Sequence, residues 1–337
     1  MKKSKKILII LLCAVVAVGA VTGGTLYHFL GYHPSKYLVE SDKNIPEADF
    51  ETVINDMDFM SNKWEDALPQ TYMYHLIKNH LNDSSGTLKK KVIVIGYDGC
   101  RADLLPLIKT SERSAVSRLI SSGGQAVFSY CGGVNYPEKN IQDSSTAPGW
   151  CSMLTGCWSD VHGITTNGVP KELQPRTLLI ELVEDGICDS SAFYVSWNGH
   201  FSRKNSTYIN EKNYANEKGL KVTFKDSADD NGTKKAILKD LKQEDCSDFI
   251  FSTLEYTDHA GHNFGFSPSN VRYVSGFRDA ENTALEIIQA INERPNYSNE
   301  DWLILITTDH GGFEKGHGGP TMEERVTFIV SNKQILK

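Results

Sequence analysis

The sequence contains no internal repeat, no low-complexity tract and no sustained heptad pattern. These absences exclude solenoid, collagen-like and coiled-coil architectures. Its seven cysteines form no CxxC pair, so a structural zinc site of the finger or ribbon kind is excluded as well. Six cysteines remain beyond Cys13: Cys100, Cys131, Cys151, Cys157, Cys188 and Cys246. Six thiols allow about 15 pairings, and none is assignable from spacing. Cys13 follows Leu12 rather than a small residue, which is not a lipoprotein context. Positive charge is also scarce: 35 Lys and Arg stand against 42 Asp and Glu, a net charge of -7. Four lysines (Lys2, Lys3, Lys5 and Lys6) crowd the first six residues, and without them the net charge is -11. So acidic a body argues against a nucleic-acid backbone as its partner.

That basic N-terminus precedes an apolar run from Ile7 to about Gly24. The combination predicts a signal peptide or signal anchor over residues 1–30, with its positive end held in the cytoplasm. The run lies between a cleavable signal and the roughly 20 apolar residues of a spanning helix, and Val18-Gly19-Ala20 fits a cleavage site. Either way, the rest of the chain is expected outside the cytoplasm, membrane-anchored or secreted. Sequons at Asn82, Asn205, Asn231 and Asn296 matter only in a glycosylating host. Residues 31–88 are polar with scattered aromatics and read as a stem with a lead-in helix over Pro69–Leu81.

Residues 89–337 read differently. KKVIVIGYDG is a β-branched run suited to a strand buried on both faces. SAFYVSW, DFIFSTLEY and DWLILITTDHGG repeat the pattern, and RVTFIVS is a further candidate. Helical stretches lie between them at Ser111–Ile120, Leu178–Glu184, Lys234–Leu241 and Arg278–Ile291. Strands alternating with helices predict an α/β fold with a mostly parallel central sheet flanked by helices. Ligands of such sheets collect at the carboxyl ends of the strands.

Three of these strands end in metal-type ligands. GYDG carries Asp98, TLEYTDHAGH carries Asp258 and His262, and TTDHGGFEKGHGG carries Asp309, His310 and His317. A single Asp at a strand end is usually a turn or cap, and a single His is usually a hydrogen-bonded residue. Three clusters at equivalent positions are better read as ligands of zinc or another divalent metal. Six such side chains exceed one tetrahedral zinc and divide well between two. Two metals about 4 Å apart form a recurrent site for displacement at phosphorus. Thr146, in STAPGW, has no adjacent base and reads locally as a helix cap. With Pro148 marking a helix N-terminus, it also fits a metal-bound nucleophile beside a helix end that favours phosphate.

IGYDGCRADLL, STAPGWCSMLTGCWSDVHGITTNG, TLEYTDHAGHNFG and TTDHGGFEKGHGG, in that order, resemble the alkaline phosphatase superfamily. Within it the chain is most similar to the nucleotide pyrophosphatase/phosphodiesterase (type I phosphodiesterase) branch, from about Lys91 to Ser331. The resemblance implies an alkaline-phosphatase-like fold, two zinc ions and a small phosphate-ester substrate. It implies Asp98, Thr146, Asp309 and His310 as ligands of one zinc, with Thr146 the nucleophile that forms a phosphothreonine. Asp258, His262 and His317 are implied for the second. Asn167 matches the position of an amide that holds a phosphate oxygen.

Two features depart from the branch. Its Thr-x-Pro is typically followed by Asn-His, whereas Gly149 and Trp150 stand here. They are expected to reshape the site entrance and contact substrate, with Trp150, Trp197 and Tyr194 as candidates to line a pocket. The domain is also small for a nucleotide pyrophosphatase. Related readings are a phosphomonoesterase or a phosphonate hydrolase, whose metal ligands are the same. Sulfatase is disfavoured, because neither the convertible Cys or Ser nor the arginine is present. A non-catalytic surface binding protein would not need a full set of ligands.

Overall fold

A computed structural model describes residues 49–107, 114–168, 173–203 and 206–336. The predicted signal segment, residues 1–30, lies outside the described residues. Among those described, no helix is long and apolar enough to cross a membrane.

The centre is an eight-stranded sheet of β1 (Leu68–Pro69), β2 (Lys89–Tyr97), β3 (Gln125–Tyr130), β4 (Ser191–Val195), β5 (Val222–Asp226), β6 (Phe249–Leu254), β7 (Glu300–Thr307) and β8 (Val326–Ser331). Their spatial order is β1-β3-β8-β7-β2-β6-β4-β5. β7, β2, β6, β4 and β5 run parallel, and only β8 is antiparallel to its neighbours β3 and β7. The sheet is therefore mixed, with RVTFIVS supplying the reversed strand. The four strands from β7 to β4 end together, which sets the place of the site.

Period-two alternation divides the core between the two faces. On β2, Ile93, Ile95 and Tyr97 join one apolar cluster, while Val92 and Val94 join the other. β7 repeats this with Ile304 and Ile306 against Leu303 and Leu305. The first face is covered by helices that include Asp230–Leu241 and Val271–Asn292. Both start on a side-chain cap, Asp229 accepting from Gly232 N and Asn270 from Arg272 N, which satisfies donors the helix cannot. The second face carries Tyr72–Asn82, Thr146–Thr155 and Leu178–Glu184.

The elements differ from the sequence reading in one respect. The described part of the expected stem, residues 49–88, is built into the domain. Phe50, Ile54, Met57 and Met60 enter one core and Met73, Ile77 and Leu81 the other, because their apolar positions are spaced to face the sheet. The six cysteines of the described residues are all unpaired, and five of them are buried.

Candidate active site

Asp98 follows directly from β2, its N–H donating to Leu254 O of β6 so that the parallel ladder continues to the ligand. Asp309 and His310 follow β7 two residues on. Glu255 follows β6, and the Tyr256–Phe264 helix then carries Asp258 and His262 one turn apart on one face. Gly99, at φ +62°, lets the chain turn away below Asp98. A Cβ there would stand 2.8 Å from Asp258 Oδ1, so glycine admits the second carboxylate beside the first. Thr146 opens the ten-residue Thr146–Thr155 helix, whose Gly156 closes it in the left-handed conformation.

The nucleophile candidate stands among the inner ligands. Thr146 Oγ1 lies 3.4 Å from Asp98 Oδ1 and 3.5 Å from His310 Nε2. His310 Nε2 is 3.5 Å from Asp98 Oδ1 and 3.4 Å from Asp309 Oδ2. A second trio converges beside it: His262 Nε2 and His317 Nε2 are 3.4 and 3.6 Å from Asp258 Oδ1, and 3.1 Å from each other. Asp258 also falls within reach of Asp98 and His310, so its carboxylate is a wall common to both groups. The sequence-derived ligands Asp98, Thr146, Asp258, His262, Asp309, His310 and His317 are thus brought together in one place.

Several observations suit this donor set to cations. His310 Nδ1 donates to Gly311 O at 2.6 Å and His262 Nδ1 to Lys315 O at 3.0 Å. Each contact orients its ring and aims Nε2 into the site. Buried Asp309 Oδ2 and Asp258 Oδ1 accept no hydrogen bond, an expense that a positive ion would remove. Burial, then the Asp98 charge, pushes Asp258 up to about 7 and Asp309 well above the usual carboxylate range. Burial acts against protonation of His310, but the Asp309 and Asp98 carboxylates outweigh it and raise the imidazole to about 10. Burial and the His310 charge hold His317 down to about 3, in its neutral, ligating form. The pocket therefore favours positive charge from its own residues alone.

Asn167 is exposed beside Thr146. Its Oδ1 accepts from Ala147 N at 2.7 Å, which turns Nδ2 toward Thr146 Oγ1 at 3.4 Å. Ala147 N–H, in the first helical turn, is therefore committed to Asn167, and Asn167 presents the donor in its place.

Gly149 and Trp150 do not shape an entrance. They lie one helical turn below Thr146, and Gly149 packs so closely on β7's continuation that a Cβ would stand 2.8 Å from Asp309 Cβ. Trp150 is fully buried beneath Asp98. Tyr194 points into the core and donates to Asp240 at 2.8 Å, while Trp197 packs edge-on against buried His200. Two supports escaped the sequence reading. Gln70, fully buried, donates from Nε2 to Asp309 O at 2.7 Å, and Phe266 packs edge-on against His262. A lone Gln and a Phe carry no pattern that identifies such roles.

A family model described as type I phosphodiesterase / nucleotide pyrophosphatase matches residues 92–315, well over half of the chain. The chain therefore belongs to the type I phosphodiesterase / nucleotide pyrophosphatase family. No curated protein matches it. Among solved structures it is similar to murine ectonucleotide pyrophosphatase / phosphodiesterase 5 at 17% identity and TM-score 0.44, covering 66% of this chain and 57% of that one. Phosphonate monoester hydrolase of Agrobacterium radiobacter aligns at 13% identity and TM-score 0.47, covering 74% and 71%. Alkaline phosphatase from the Antarctic bacterium TAB5 aligns at 12% and 0.45, covering 72% and 91%.

Proposed function

We propose that this member of the type I phosphodiesterase / nucleotide pyrophosphatase family is a two-zinc phosphodiesterase that works through a phosphothreonine at Thr146. One observation carries the reading: Thr146 Oγ1 stands 3.4 and 3.5 Å from Asp98 and His310, with a second Asp-His-His trio adjoining. Asp98, Thr146, Asp309 and His310 would hold one zinc, and Asp258, His262 and His317 the other. Bound there, the two ions would supply positive charge against the negative charge that develops around phosphorus.

The chain's own residues do the rest. Thr146 Oγ1, its proton given up to water, attacks phosphorus and forms the threonine–phosphate bond as the ester oxygen leaves on the opposite side and takes up a proton from solvent. Asn167 Nδ2 donates to a non-bridging oxygen next to Thr146, where negative charge grows in the transition state. The dipole of the Thr146–Thr155 helix favours the same charge. Asp98 and Asp309, buried and tied to the sheet, keep the nucleophile fixed. Water then cleaves the threonine–phosphate bond and restores Thr146.

We place this activity outside the cytoplasm, on the strength of the lysine-rich start and the apolar run from Ile7. Cell fractionation tests the location, and recovery of the native chain in the cytoplasmic fraction would refute it. The activity is tested by assaying the zinc-loaded chain on bis-(p-nitrophenyl) phosphate beside p-nitrophenyl phosphate. Zinc-dependent turnover with a diester preference is expected. Absence of turnover on both esters would end the enzyme reading, and a monoester preference would redirect it to a phosphomonoesterase.

A further inference from the structure

The Trp150 indole lies completely buried under the inner half of the site. Its Nε1–H donates to Asp98 Oδ2 at 3.1 Å, and its ring packs edge-on against Phe251 with centroids 5.6 Å apart. The other Asp98 oxygen, Oδ1, is the one that faces Thr146 and His310. We propose that Trp150 is a positioning residue whose indole N–H holds Asp98 as a one-oxygen ligand and so fixes where Thr146 is presented to phosphorus. This inference rests on the two-zinc reading above.

The physical case begins with burial. Asp98 is fully enclosed, so water cannot satisfy Oδ2, and a buried carboxylate oxygen without a donor is costly. The indole meets that need and leaves the carboxylate only one oxygen for the site. With the donor removed, the carboxylate is free to rotate and turn both oxygens toward the cation. The neighbouring strand is cut to fit the ring. Gly96 of β2 lies two residues before Asp98, and a Cβ there would overlap Trp150 Cη2 and stand 2.9 Å from Cζ3. Glycine thus gives the benzo ring a seat across the strand, directly below the carboxylate that the pyrrole N–H holds.

Ring chemistry supplies the test. Phenylalanine keeps most of the apolar volume and loses the donor. Histidine puts Nε2 the same number of bonds from Cα as indole Nε1, in a ring of equal size, and keeps the donor while vacating the seat over Gly96. Trp302 controls for loss of a buried indole, since its Nε1 donates to Glu300 at 2.8 Å away from the site. Full-length Trp150→Phe, Trp150→His and Trp302→Phe are titrated with zinc against a chromophoric chelator, and their kcat and KM are measured on bis-(p-nitrophenyl) phosphate. Trp150→Phe is expected to weaken one of the two zinc equivalents by about 10- to 100-fold, leave the other unchanged, and lower kcat with little change in KM. Trp150→His should recover most of both losses, and Trp302→Phe should alter neither zinc step. Wild-type zinc binding and kcat in Trp150→Phe would overturn the assignment while leaving the two-zinc reading intact. Equal weakening of both zincs without rescue by histidine would reduce Trp150 to a packing residue. Failure of the wild-type chain to bind zinc would remove both proposals together.

Discussion

The two halves of the site use the same ligand chemistry on different mechanical foundations. Asp98, Asp309 and His310 emerge from adjacent central strands and are fully buried. Trp150 supports Asp98 from below, and Gln70 holds the Asp309 carbonyl. Asp258 and His262 ride on a helix and His317 on a loop, and the His262 side chain is 44% exposed. The inner half is thus as rigid as the sheet, while the outer half meets solvent. The division suits a nucleophile that must hold one position and a leaving group and water that must pass.

The largest test of this contrast is Thr146→Ala. It should lower kcat by at least about 10³-fold while two zincs remain bound, as measured by turnover and metal analysis. Near-wild-type turnover would remove the nucleophile from the inner half. Next comes Asn167→Ala, expected to cost about 10²-fold in kcat with zinc content unchanged. If the loss appears in metal content instead, Asn167 acts on the ligands and not on the substrate oxygen.

The halves themselves are separated by His262→Ala and His310→Ala. Loss of one ligand should cost the outer variant its own zinc and spare the other, and EDTA should strip the wild-type outer zinc first, because that side is open to solvent. Stopped-flow chelation reads the two steps, and a single rate for both zincs would erase the distinction.

The smallest effect concerns acid. Burial holds His162 and His200 down to about 4. In the unfolded chain a histidine titrates near about 6.5. Between about pH 6.5 and 4 the unfolded chain binds more protons, so this contribution is complete above 6.5 and is lost as pH falls through that window. His162 Nδ1 accepts from Ile164 N, an acceptor that asparagine reproduces. His162→Asn should therefore flatten the loss of urea midpoint between pH 7 and 5, and an unchanged slope would exclude His162 as a cause.

Much of this contrast was legible in the sequence. The strands that hold the site are continuous apolar runs, and three of them lead into Asp and His clusters that are uninformative singly and point to metal ligands together. The elements that the pattern does not show have physical reasons. Val222–Asp226 is an edge strand whose alternate residues face solvent, so it lacks the apolar run of its neighbours. Gln125–Tyr130 carries polar residues at both ends, and Leu68–Pro69 is too short for any pattern. Residues 49–88 resembled a stem because polar residues outnumber the apolar ones that reach the core. Nearness to Thr146 in sequence suggests the entrance for Gly149 and Trp150, but they lie below it. A helix running inward from the nucleophile puts positions three and four residues on about 5 Å deeper, which makes them the floor. Pattern identifies ligands by type, but only the direction of the helix separates floor from rim.

The central claim, that Thr146 is the attacking group, is tested most directly by acid-quenching the zinc-loaded chain during turnover of bis-(p-nitrophenyl) phosphate and mapping the modified peptide by mass spectrometry. A phosphoryl adduct on Thr146, absent from Thr146→Ala, is the predicted result. An adduct on another residue, or full turnover by Thr146→Ala, would contradict it.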